Sequence, residues 1–339
     1  MARTVIRLEL RPAPGSRPAD LFNKILQLRA KIPYEQRFYF EIRNSRILVE
    51  QIDKNTVVLL TKGFGDALNP DSDPPLKYYT DEDHMCNLIG NHPRLVRFLG
   101  RDPWTALPTL EKPSATLAGF LEEHHSTIGS GSGNGNGRLY LTAPYRPLIF
   151  QWALQLLTGL SFVHSKDVIL GDLHKYTCWL QSPGSLSILG FLDAVYMEPT
   201  QAIKYTNDTW GTEYNFPFHP CLISGKGTGP GGRWDRDMAT IQTDLFLWAS
   251  LLYELLTGSW PARGRVLDDV KAILTHKLWP KLDEEDLDEI ARKCWDYEYV
   301  NADEVKRDLG KFLAGKGWEV EGVEGDEIKG LDIAQILAS

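Results

Sequence analysis

The chain has 339 residues, 42% of them hydrophobic and 11% aromatic, enough apolar material for one large core or two ordinary ones and too much for global disorder. A formal net charge of −8 speaks against general nucleic-acid binding, which needs clustered lysine and arginine. Cys86, Cys178, Cys221 and Cys294 are scattered without a C-x-x-C pair and read as free thiols of a reducing compartment, not as a disulfide framework or zinc site. The start, MARTVIRLELRPAPG, lacks an apolar core of signal-peptide length, and no window reaches 18 consecutive apolar residues. A soluble protein of the cytoplasm or nucleus, without a membrane partner, is expected.

In chain order, residues 4–10 alternate apolar and polar as a strand, RPAPGSRP breaks the chain, and Ala19 to Ile32 reads as an amphipathic helix. RFYFEI, RILVEQI and NTVVLLTK predict three strands, the first two joined at Asn44-Ser45. TDEDHMCNLIG predicts a short helix with Thr80 as N-cap, acidic residues in its first turn and Gly90 at its end. ATLAGFLEEHHS begins another helix, and GSGSGNGNG (129–137) reads as a flexible linker. From Arg146 an apolar helix places Ile149, Trp152, Leu156, Leu160 and Val163 on one face. A strand, a polar loop over 171–177, a second strand, a Pro183-Gly184 turn and a third strand follow. Gly227 to Gly232 is a formal G-x-G-x-x-G match, but proline lies inside it and no strand precedes it, so a surface loop is expected. Thr243 to Gly258 is apolar nearly all round and predicts a buried central helix. The acidic run 282–290 reads as a solvated helix face with Leu282, Leu287 and Ile290 inward.

The stretch 146–195 resembles the catalytic and metal-binding loops of eukaryotic-type protein kinases. The similarity runs over roughly 46–312 and is strongest at 77–100, 146–195 and 243–310, where IARKCWDYEYVNADEVKRDL is similar to a group of fungal kinase-like proteins. The resemblance implies an α+β, two-lobed protein-kinase-like fold, a small antiparallel β lobe plus a mainly helical large lobe. Residues 1–45 would be an N-terminal β/α elaboration, 46–112 the small lobe, 113–312 the large lobe, and 313–339 a tail ending in a short docking helix.

The same resemblance implies that most of the chemistry is gone. The family reads H-R-D-L-x-x-x-x-N and then D-F-G, in which one Asp orients the acceptor hydroxyl while Asn and the second Asp hold magnesium. Here Leu170-Gly171-Asp172, Thr177 and Gly190-Phe191-Leu192 stand at those positions, so Asp172 keeps only a vestigial base position and Gly190 has no ligand. No glycine lies between the first two family strands, Leu59 falls at the lysine position with Lys62 and Lys77 as alternatives, and Asp83 falls where the lysine's glutamate partner belongs, with Glu82 adjacent. Of the positions a nucleotide would meet, Lys77, Glu111 in the hinge and Thr177 retain polar groups. Asp244, at the start of the central helix, matches the family Asp that accepts hydrogen bonds from the catalytic-loop backbone, and Phe218 replaces a family Glu that pairs with Arg. The expectation is a pseudokinase without cofactor, a scaffolding or regulatory module for another protein. ATP and Mg²⁺ enter only under the alternative, an atypical Ser/Thr kinase using Lys77, Asp172 and Asp193.

Overall fold

The computed structural model describes residues 39–41, 47–51, 55–61, 88–101, 108–124, 129–130, 140–141, 145–171, 173–181, 184–189, 194–196, 218 and 240–338. The helix expected at 19–32, Lys62, Lys77, Glu82, Asp83, Asp172, residues 190–193 and the glycine-rich stretch 227–232 lie outside these. The chain forms two compact units, one of Met1–Asn87 with Arg97–Lys112, the other of Leu88–Val96 with Pro113–Ser339.

In the first unit, runs rich in β-branched and aromatic residues form β1 (Tyr39–Glu41), β2 (Ile47–Gln51) and β3 (Thr56–Thr61). With β4 (Phe98–Arg101) and β5 (Pro108–Glu111) they make one antiparallel sheet of order β1-β2-β3-β5-β4. Pro108 is tolerated beside two neighbours because it is the first residue of its strand. Val57 and Leu110 lie opposite each other, both buried, and this cross-strand pair anchors the centre of the sheet. Leu59 sits mid-strand opposite Val49.

The second unit opens with β6 (Ala115–Thr116) and α1 (Leu117–Glu123), whose N-cap Thr116 accepts a hydrogen bond from the Gly119 amide. The glycine-rich stretch is not a linker throughout. Its first two residues, Gly129–Ser130 (β7), pair antiparallel with Tyr140–Leu141 (β8) despite poor strand propensity. Helix α2 (Arg146–His164) then runs through the core. Expected to bury one face, it buries 14 of its 19 residues, among them Leu157 and the amide side chains of Gln151 and Gln155. The reason is that packing comes from several sides. Helices α3 (Ile241–Thr257) and α6 (Ala302–Gly315) and strands β11 (Ser185–Ile188) and β14 (Glu327–Ile328) all rest on it.

Between α2 and α3 the chain forms β9 (Val168–Ile169), β10 (Cys178–Gln181), β11 and β12 (Val195–Tyr196), with β10 between β11 and β6 and β9 paired with β12. Helix α3 starts at Ile241 rather than Thr243 because Thr240 and Thr243 cap each other's backbone amides in a capping box, and Gly258 closes it. Its Trp248 Nε1 donates to the Ala153 carbonyl of α2 at 3.1 Å. After α4 (Leu267–Thr275), the amphipathic α5 (Glu285–Trp295) turns Leu287, Ile290, Cys294 and Trp295 inward, and Leu282 just before it is buried as well. Cys178 and Cys294 are both buried, and burial alone pushes the Cys294 thiol well up. Residues after α6 form the short pair β13 (Val320–Glu321) and β14, and then α7 (Ile333–Ala338). Helices and small antiparallel sheets together make an α+β fold.

Candidate functional site

Leu170, Thr177 and Asp244, three of the residues singled out in the sequence, lie in or against the loop from Leu170 to Thr177. Strand β9 delivers Leu170 and Gly171 to the N-terminal turn of α3, where the wholly buried Asp244 accepts from both amides, Leu170 N at 2.9 Å and Gly171 N at 2.7 Å. His164, the last residue of α2, brings Nε2 to 2.9 Å from the same carboxylate. One carboxylate therefore holds three elements together, in the first turn of a helix whose dipole favours negative charge. Leu170 is itself fully buried.

The rest of the loop closes on itself. The Thr177 hydroxyl accepts from the His174 amide and donates to the His174 carbonyl, both at 3.0 Å, and the Thr177 amide donates to the same carbonyl. Its proton and one of its lone pairs are thus committed to the four-residue turn from His174 to Thr177. The Tyr176 amide donates to His174 Nδ1 at 3.2 Å, and the Leu189 amide to the Thr177 carbonyl at 2.8 Å. Lys175 reaches the buried Glu254 of α3, Nζ to Oε1 at 2.9 Å, while its carbonyl accepts from Ala118 of α1.

A second feature lies beyond the loop. Phe218 is completely buried, its ring 5.4 Å from Phe246, 6.1 Å from Trp295 and 6.2 Å from Trp279. The ring stands edge-on to both tryptophans.

Of the named positions, Thr177 is buried inside the loop and belongs to the second unit, whereas Glu111 is the exposed last residue of β5 in the first. Its amide donates to the Arg97 carbonyl at 2.9 Å. Asp172, Lys77 and Gly190 lie outside the described residues. Sequence reasoning missed His164 and the Lys175–Glu254 pair. His164 at the end of an apolar helix carried a weak signal, since a cation or imidazole there needs a buried acceptor; the Lys175–Glu254 pair carried none.

Among the described residues no group of three or more His, Cys, Asp or Glu side chains is placed to hold a metal ion, and no helix is long and apolar enough to cross a membrane. No protein-family model matches the chain, and no curated protein matches it.

Proposed function

We propose that this chain has a two-lobed protein-kinase-like fold that no longer transfers phosphate and serves inside the cell, in cytoplasm or nucleus, as a binding, scaffolding or regulatory module for another protein. The observation that carries the reading is the division of labour in the 170–177 loop. Asp244, which supports backbone and needs no substrate, is fully engaged, while the Thr177 hydroxyl, which stands where the family has a metal-binding amide, is tied to His174.

Phosphoryl transfer depends on positioning the triphosphate and neutralising its charge with metal. The residues here do not fit Mg·ATP. Glycine at 190 offers no side-chain oxygen, the Thr177 hydroxyl is neutral and committed, and hard cations favour carboxylates. Leu59 at the lysine position leaves the phosphates without their cation. The buried Leu170 and the aromatic seat of Phe218 support a fold maintained for its packing. The charge of −8 favours a protein partner over nucleic acid.

Calorimetric titration with ATP, with and without Mg²⁺, alongside a radiolabel transfer assay on generic substrates, tests this. Neither binding nor transfer is expected. Magnesium-dependent micromolar affinity, or transfer abolished by Asp172→Asn, would overturn the proposal in favour of an atypical Ser/Thr kinase. That alternative draws on Asp172 being retained in a loop whose backbone is held in place.

A further inference from the structure

The residues after α6 read as an acidic, glycine-rich tail, yet they lie across α2. Trp318 packs on Phe150 at 5.4 Å, Ile328 N donates to the buried Gln151 Oε1 at 3.0 Å, and Lys306 Nζ donates to Thr158 Oγ1 and to the Glu324 carbonyl. Most of the segment stays exposed. Among the residues whose burial is described, its buried points are Asp326, wholly covered, and Ile328. The β13–β14 pair has two residues per strand, far too short to hold itself.

What Asp326 meets is the buried Arg94. The two form a bidentate pair, Nε to Oδ2 and a terminal guanidinium nitrogen to Oδ1, both at 2.8 Å, and Glu327 adds a third contact at 3.0 Å. The remaining guanidinium nitrogen donates to the neutral Ser185 hydroxyl. Both counterions of Arg94 therefore come from the C-terminal segment.

Arg94 is the middle of the turn from His92 to Val96. The turn's backbone hooks onto β11: Ile188 N donates to the Arg94 carbonyl at 2.9 Å, and Val96 N to the Ile188 carbonyl at 3.0 Å. The turn can approach this closely because α2 has glycine at 159; a Cβ there would lie 2.9 Å from Ile188 Cδ1 and 3.2 Å from the Arg94 carbonyl. The segment has a seat of its own. At Gly184, with φ of +84°, a Cβ would lie 2.6 Å from Ile333 Cγ2 of α7. The fold thus reserves space for both the turn and the segment.

We infer that residues 318–338 are a latch keyed by Asp326, and that its docking and the docking of the His92–Val96 turn onto α2 and β11 form one coupled, reversible event. The physical reason is the asymmetry of a buried ion pair. With the segment lifted, Arg94 loses both of its carboxylate partners, and unless the turn that carries it moves toward water the charge is left unpaired. The turn sits in Leu88–Val96, the piece of the second unit flanked on both sides in the sequence by residues of the first. This inference is independent of the kinase-like reading.

Hydrogen exchange of the full chain tests it, comparing Asp326→Asn with the double variant Arg94→Met/Asp326→Leu. In Asp326→Asn, exchange should rise at least tenfold in residues 318–338 and also in 90–96, with α3 and α5 unchanged. In the double variant, which buries no charge, protection of 90–96 should return. Acceleration confined to 318–338, or none at all, overturns the coupling, as does a double variant that stays as fast as the single one. If Asp326→Asn loosens the whole unit, a protease site placed at Gly315–Gly317 of the otherwise unaltered chain decides. Departure of the cut segment must then raise exchange at 90–96, and departure without that rise refutes the latch.

Discussion

Asp244→Ala removes the acceptor on which the 170–177 loop depends, and its cost can be worked from the contacts. Three donors lose their partner: the amides of Leu170 and Gly171 and the His164 ring. The two amides belong to the backbone just after β9 and cannot turn away, so they alone set the lower bound. A buried donor left unsatisfied costs about 1–3 kcal/mol, so two give roughly 2–6 kcal/mol, and water entering the vacated space brings the expectation to about 2–4 kcal/mol. Against a typical domain stability of about 5–15 kcal/mol this is a large loss without being an unfolding one. Asp244→Asn keeps one acceptor oxygen and turns an NH₂ toward the remaining donors, so it should cost less than alanine but not be neutral. Urea unfolding measures both, and hydrogen exchange localises the effect to 168–173 while α5 keeps its protection. A cost below about 0.5 kcal/mol for alanine, well short of a single stranded donor, or unchanged exchange at Leu170 and Gly171, would refute the argument that this carboxylate holds the loop.

Phe218→Ala should cost about 3–5 kcal/mol in urea unfolding because it empties a fully buried aromatic site, and Phe218→Glu should cost no less, since it places a charge among Phe246, Trp279 and Trp295. Gly159→Val should destabilise by about 1–3 kcal/mol by pushing Ile188 and the Arg94 carbonyl apart, and a neutral result by thermal melting would show that the turn is not held against α2. Burial works to raise the Asp296 carboxyl, but hydrogen bonds from Lys277 and Trp279 outweigh it and hold the group below its ordinary value. A depressed folded value means stability that is fully present above the unfolded value of 3.8 and lost as pH falls through the folded one. Urea midpoints taken from pH 5 down to pH 3 should therefore fall less steeply in Asp296→Asn than in the parent chain.

The longer elements of this protein follow from local pattern. The apolar runs of α2 and α3, the β-branched strands around Val49 and Val57, and the glycine after α3 are properties of neighbouring residues, and periodicity and backbone freedom suffice to read them. Thr177 belongs to the same class, since its hydroxyl bonds a residue three positions away, and Asp244 could be assigned from its place at a helix start and the resemblance. The partners of buried charge are another matter. Asp244 lies 80 residues from His164, and Arg94 lies 232 residues from Asp326. No periodicity links them, and an acidic tail reads as solvated when its acids are considered alone. Which carboxylate is desolvated, and which arginine it then must meet, is set only when the α6–β13 turn lays the tail across α2. The same holds for Gly159 and Gly184, ordinary glycines in the sequence, whose missing side chains matter because Ile188 and Ile333 arrive there from elsewhere in the chain. The sequence by itself determined the long helices α2 and α3 and the strands β2 and β3; tertiary structure decided which charges are buried together, because desolvation depends on what covers a group rather than on what precedes it.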